Sequence, residues 1–272
     1  MVDILSTMKH DPSSCPACGG VEGDAADLSP AHYLRCRSCR SIFSPGLLST
    51  PLTAEEWSAI PRPEPSKRDA RSLLRPFGGA ASVALAGRAD ADLMRCFLSR
   101  DLPIEACDAS RPHWANAAKA SLPVKFGTPS QGMLGERHDL VVVEGLLEYS
   151  SSPLDELIAV RKALFPDGRA RIEAPSADGF LLHRFGSRFA LFAPPAVRTL
   201  YTFDGLSRLC ARAGFRQVSL VAASARAAAW LRASHTYASA YDKLVALLDD
   251  RYGRHPSILV ATARADAVSS RA

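Results

Sequence analysis

Residues 138–175, HDLVVVEGLLEYSSSPLDELIAVRKALFPDGRARIEAP, constrain the fold more than any other part of the chain. Leu140, Val141, Val142 and Val143 form a run apolar on both faces, which predicts a strand in the middle of a covered parallel sheet. Glu144 follows where that strand must end. Ser152 and Pro153 supply an N-cap and a first-turn proline, and Leu154, Leu157, Ile158 and Leu164 fall at helical spacing. Pro166-Asp167-Gly168 stops that helix, and Ala170 to Ala174 reads as a second strand. Strand, helix and strand in this order make a βαβ crossover. An acid at the carboxyl end of its central strand lies where open α/β sheets bind small ligands.

Three short pieces of the stretch, Leu147-Glu148-Tyr149, Pro166-Asp167-Gly168 and Glu173-Ala174-Pro175, resemble the second half of a class I S-adenosylmethionine-dependent methyltransferase. Tyr149 stands where that family usually has a histidine. The resemblance covers most of the chain after residue 80. It implies an α/β fold with a Rossmann-like seven-stranded sheet, mostly parallel, whose last strand (Pro256 to Arg264) is antiparallel. It also implies S-adenosyl-L-methionine as cofactor.

The family's first strand ends in an acid and a G-x-G-x-G loop, whose glycines let the backbone approach the cofactor. Here the strand is Ser82 to Ala86, followed by a helix from about Asp90 to Arg100. Gly87 is kept, but Ala89 and Ala91 stand at the later glycines and Leu85 where the acid is expected. Asp90 and Asp92 read either as substitute carboxylates or as N-caps of the helix. Asp108, ending the strand of Pro103 to Ser110, matches the family's ribose-binding carboxylate, although the residues alone read equally as a turn and cap. Gly127-Thr128 replaces a usual Gly-Asp pair. The cofactor-binding set expected is therefore Gly87, Asp108 and Glu144. The catalytic residues are not legible, with Tyr149 and His183 the candidates for a general base.

Ahead of this domain, Cys15-Pro-Ala-Cys18 and Cys36-Arg-Ser-Cys39 are two C-x-x-C pairs, a spacing that predicts a structural zinc ribbon with all four positions filled by thiolates. A redox pair would need a helix start beside a βαβ unit, a setting neither pair has. Lys9, Arg35, Arg37 and Arg40 lie near the knuckles. They offset the charge of the metal–thiolate cluster or contact nucleic acid, and no aromatic platform accompanies them. With a net charge of +5 and dispersed arginines, a nucleic-acid partner is not expected. Ribbons followed by a segment such as Pro51-Leu-Thr-Ala-Glu-Glu56 resemble the heads of several bacterial methyltransferase families.

The expected organisation is ribbon and lead-in over 1–58, a proline-rich linker and short helix over 59–75, a methyltransferase-like domain over 76–265 and a disordered tail over 266–272. Within the domain, 180–192 and 201–203 are aromatic-rich and would pack over an acceptor. Leu206 to Ala213 reads as a helix, Gly214 as its end and Arg216 to Val221 as a strand. The alanine-rich segment 224–250 could form a lid or a homodimer surface. No apolar run reaches the roughly 20 residues a spanning helix needs, and no signal pattern is present, so a cytoplasmic protein without a membrane partner is expected. The functional expectation is methyl transfer to a small-molecule acceptor. Its alternative is a catalytically inactive or repurposed binding or scaffold protein, motivated by Leu85, Ala89, Ala91 and Thr128.

Overall fold

The structure, a computed structural model, describes residues 13–26, 28, 32–60, 80–135, 137–179, 182–183, 186, 196–222 and 258–265. The lead-in helix of 67–75, the 224–250 segment, the 266–272 tail, most of 180–192 and Lys9 lie outside them.

Seven strands form the main sheet: β4 (Val83–Ala86), β5 (Ile104–Asp108), β6 (Val124–Phe126), β7 (His138–Val143), β8 (Leu164–Pro175), β10 (Arg216–Ala222) and β11 (Ile258–Arg264). Their spatial order is β10-β11-β8-β7-β4-β5-β6. The four pairings from β8 to β6 are parallel. β11, last in the chain, inserts antiparallel between β8 and β10, as expected from the resemblance. From β4 the chain runs outward through β5 and β6, then returns to the other side of β4 for β7 and β8. The gap between β4 and β7 is therefore the topological switch point, where sheets of this kind hold ligands.

Alternate residues of the central strands feed opposite faces, as the two-residue period requires. Ala84, Ala86, Val141 and Val143 join one core with α5 (Pro153–Lys162) and α6 (Phe203–Arg212), and Val83, Leu85, Leu140 and Val142 join another with α3 (Ala91–Leu98). The first of these cores runs on without a break into the ribbon, through Ile42, Phe43, Tyr33 and Trp57. A second sheet explains the continuity. β1 (Gly23–Ala26), β2 (Tyr33–Cys36) and β3 (Ile42–Phe43) pair in order, and β3 then pairs antiparallel with β9 (Thr199–Leu200), a strand from the far end of the sequence.

One local expectation is revised. α5 ends at Lys162, with Ala163 as C-cap, so Leu164 belongs to β8 and not to the helix. Pro166-Asp167-Gly168 then lies inside β8 as a bulge: His138 pairs with Leu164 but Leu140 with Arg169. The strand starts early because the His138 N–H donates to the Ala163 carbonyl at 2.7 Å, directly after the helix. Among the described residues no helix is long and apolar enough to cross a membrane.

Candidate functional site

Gly87, Asp108 and Glu144 meet at the carboxyl edge of the sheet. Backbone ladders extend past the strands there: Gly87 N–H donates to Cys107 O at 3.0 Å and Glu144 N–H to Ala86 O at 3.1 Å. Gly87 has φ +92, and a β-carbon on it would stand 2.6 Å from Leu146 Cβ and 2.8 Å from Glu144 O. The turns after β4 and β7 are thus in direct contact. Only glycine permits so close an approach.

An ion pair crosses the switch point above this contact. Arg88 Nη1 lies 2.6 Å from Glu144 Oε1, the two side chains being 11% and 13% exposed. Asp90 stands at the edge of the pair, 4.0 Å from Arg88, and its carboxylate accepts from Leu93 N–H at 2.9 Å. Of the two roles open to Asp90, the structure uses the N-cap of α3. Leu85, where an acid is expected, is buried in the core beneath α3 with Leu93, Met94 and Phe97.

The Asp108 side chain is fully buried. Its Oδ2 accepts from Ala89 N–H at 3.0 Å and its Oδ1 from Ser110 N–H at 2.8 Å. One carboxylate therefore ties the turn after β4 to the turn after β5, an arrangement favoured because both donors are otherwise buried.

Beside Asp108 the edge opens. A cavity of about 460 Å³ lies over Ala109, Phe126, Gly127 and Thr128, at the ends of β5 and β6. Ser150 to Ser152 and the start of α5 make its polar wall, and Pro51, Leu52, Ala54 and Trp57 from the N-terminal segment make an apolar one. Glu156 lines it as well, buried, accepting from Ser130 N–H at 2.9 Å and Ser130 O–H at 2.7 Å. Burial pushes the Glu156 carboxyl above its usual range, against the lowering effect of those two bonds. The role of α2 (Ala54–Ala59) here was not visible in the sequence. Its Thr53–Glu56 capping box marks a helix start, but nothing in the pattern says that the helix roofs a cavity some fifty residues downstream.

Neither candidate base lines this cavity, although Tyr149 stands directly behind its Trp57 wall. Tyr149 is buried against Trp57, ring centroids 5.9 Å apart and edge-on, and His183 is exposed.

The four ribbon cysteines do converge. Their sulfur atoms all lie within 4.8 Å of one another, with Cys15–Cys39 at 3.6 Å and Cys18–Cys36 at 3.5 Å. Tetrahedral zinc at the usual bond length needs sulfur separations of about 3.8 Å, so the set fits a four-thiolate ion. The contact between Cys15 and Cys39 lowers the Cys39 thiol, with help from Ser41, and raises the Cys15 thiol, so the two sulfur atoms share one proton. Two of the nearby arginines pair with acids of the described chain. Arg37 pairs with Asp24 and Glu22, and Arg35 with Asp178. The arginines that reach the knuckles come from α6: Arg212 donates to the Pro16 and Ala17 carbonyls, both at 3.0 Å, and Arg208 to Ser38 at 3.1 Å.

No family model and no curated protein matches the sequence. Solved structures do match in fold. Phosphoethanolamine N-methyltransferase 2 from Haemonchus contortus has a TM-score of 0.56 at 14% identity, covering 78% of this chain and 57% of its own. The cyclopropane synthase MmaA2 from Mycobacterium tuberculosis has a TM-score of 0.52 at 17% identity, covering 72% and 82%. A S-adenosylmethionine-dependent methyltransferase from Archaeoglobus fulgidus has a TM-score of 0.51 at 14% identity, covering 73% and 94%. At such identities the likeness extends to architecture alone, and the neighbours' names already include a cyclopropane synthase beside methyltransferases. The chain has the α/β methyltransferase fold, with a seven-stranded sheet and a cysteine cluster at its head.

Proposed function

We propose that this chain is an S-adenosylmethionine-dependent methyltransferase that acts on a small-molecule acceptor, with a structural zinc ion in its ribbon. The observation that carries the reading is the cavity over Ala109, Phe126, Gly127 and Thr128. It lies at the carboxyl edge next to the switch point, and its volume falls within the range typical of small-ligand sites. One apolar and aromatic wall facing one rich in hydroxyls suits a nucleoside, which has a flat base and a polar sugar. Arg88 and Glu144, beside it at the switch point, carry the two charges that complement the carboxylate and ammonium of a methionine end. When bound, S-adenosylmethionine supplies a methyl group already activated on sulfur. The chain's own residues then have to bind, orient and exclude water, a task that needs no fixed triad. The Haemonchus neighbour is named in complex with S-adenosylhomocysteine and phosphomonomethylethanolamine, a pairing of the kind proposed.

A second reading has its own support. Leu85 supplies no charge, both Asp108 oxygens already accept backbone donors, and Arg88 and Glu144 are paired with each other. A repurposed binding or scaffold protein that has lost tight cofactor binding would have these features. Calorimetric titration of the folded, zinc-loaded protein with S-adenosylhomocysteine decides between them. Micromolar binding is the outcome expected for the enzyme, and absence of binding at millimolar ligand overturns it.

A further inference from the structure

We propose that metal occupancy of the Cys15–Cys18–Cys36–Cys39 cluster sets the affinity of the cavity for its ligand, because the cluster anchors the segment that supplies Trp57 as part of the cavity wall. The inference rests on the cavity being the ligand site, as argued above.

The connection can be followed bond by bond. Arg212 holds the first knuckle through the Pro16 and Ala17 carbonyls. Thr202, the N-cap of the same helix α6, bonds through its hydroxyl to the carbonyl of Cys39, and its N–H donates to Ser41 Oγ at 3.3 Å. From Ser41 the chain enters β3, which pairs with β9, and Ser44 N–H donates to Arg198 O at 3.0 Å. Next come α1 (Pro45–Leu48), with Leu48 buried, and the wall residues Pro51 and Leu52. The capping box of Thr53 and Glu56 then starts α2, which packs against α4 (Arg111–Lys119) and carries Trp57, 7% exposed, into contact with Tyr149. Tyr149 follows β7, so the indole bridges the N-terminal segment and the edge of the main sheet.

The anchoring is unequal at its two ends. α2 has only six residues and takes its position from its neighbours, through its packing on α4 and the edge-on contact of Trp57 with Tyr149. Its registration depends on the strand β3 upstream, only two residues long and separated from Cys39 by Arg40 and Ser41. The pairing with β2 and β9 and the buried Ile42 and Phe43 hold the strand itself, and the knuckle fixes the end at which the chain enters it. Without the ion, the four thiols lose their common partner, β3 loses its fixed start, and the Trp57 wall loosens. A ligand that contacts this wall must then order it on binding, which lowers affinity. By reciprocity, ligand in the cavity must raise the affinity for the metal.

The test uses the full chain with Trp114→Phe and Trp230→Phe, leaving Trp57 as sole indole, compared with zinc bound and after extraction by a strong chelator. Acrylamide quenching reports the wall and titration with S-adenosylhomocysteine reports the site. Extraction is expected to raise quenching severalfold and weaken binding about tenfold or more, the scale of one lost stacking contact. Unchanged quenching, or equal affinity with and without zinc, overturns the proposal while leaving the methyltransferase reading intact. If quenching responds but neither form binds, the methyltransferase reading fails and the metal–wall coupling stands. Should extraction unfold the whole chain, two metal-loaded variants decide. Arg212→Met and Trp57→Leu are both expected to bind more weakly, by severalfold and about tenfold. Unchanged affinity in both overturns the proposal, and if no form binds, quenching in Arg212→Met decides in its place.

Discussion

The carboxyl edge of the sheet has two halves that behave oppositely. Between β7 and β4 the turns touch, Gly87 against Leu146, and the Arg88–Glu144 pair spans what remains. Over β5 and β6 the turns stand apart and leave about 460 Å³. Of the altered motif residues, Leu85, Ala89 and Ala91 belong to β4, the turn after it and the start of α3, on the closed side, and Thr128 lines the open half. Leu85 and Ala89 are buried in the core under α3, so the closed half has been taken into the protein's own packing. A ligand edge is therefore not one unit. Each turn can be absorbed or kept separately.

The largest expected effect tests whether the closed half is as tight as it looks. Gly87→Ala puts a methyl group into Leu146 and the Glu144 carbonyl, at positive φ, and should cost about 3 kcal/mol or more. Gly132→Ala, at φ +78 with nothing within 4 Å, should cost only about 1 kcal/mol. Urea unfolding of both variants measures the contrast. Equal costs would mean that the contact at Gly87 yields as readily as open space.

Asp108→Asn comes next. The amide can accept from only one of Ala89 and Ser110 and points a donor at the other, so a loss of about 1–3 kcal/mol in stability is expected. This variant also sharpens what Asp108 is for. A selective loss of S-adenosylhomocysteine affinity at unchanged stability would move the carboxylate from turn to ligand. A smaller effect is expected at the bridge itself: a double-mutant cycle of Arg88→Met and Glu144→Gln should give a coupling of about 1–2 kcal/mol, as for other close, largely buried pairs. A coupling near zero would leave the crevice free to open.

How much of this was legible follows the same division. The run Leu140 to Val143 and the Ser152-Pro153 cap stated the central βαβ unit, because burial on both faces and capping leave direct marks in sequence. The convergence of the four cysteines was equally open to reading, since two C-x-x-C pairs are spaced to meet at one point. The pairing of β3 with β9 was not. It joins Phe43 to Thr199 through backbone bonds, which carry no residue signature, across a separation that no local pattern spans. Nor did the residues say that Arg88 would fold onto Glu144, or that α6 would send Arg208 and Arg212 to the cysteine knuckles. Such partners are chosen by tertiary proximity.

The smallest effect expected lies in the open half, at Glu156. Burial raises its carboxyl above the ordinary 4.5, despite the bonds from Ser130. Above 4.5 the native protein then binds more protons here than the unfolded chain does, so this group makes stability fall as pH rises from 4.5 through the raised value, and adds no slope beyond it. Glu105 works in the other window and with the other sign. Its carboxyl is held low by His138 and then Lys125, against its own burial, so its stabilisation is present above 4.5 and is lost as pH falls through the lowered value. The two contributions therefore separate on the pH axis. Glu156→Gln, which copies the protonated form, should flatten the stability profile above pH 4.5 and leave the acid limb unchanged. Superimposable profiles from urea unfolding between pH 4.5 and neutrality would mean that water reaches Glu156 freely and that the cavity floor is wetter than its burial implies. A base-sized ligand would then find a hydrated carboxylate where this structure offers one held by Ser130.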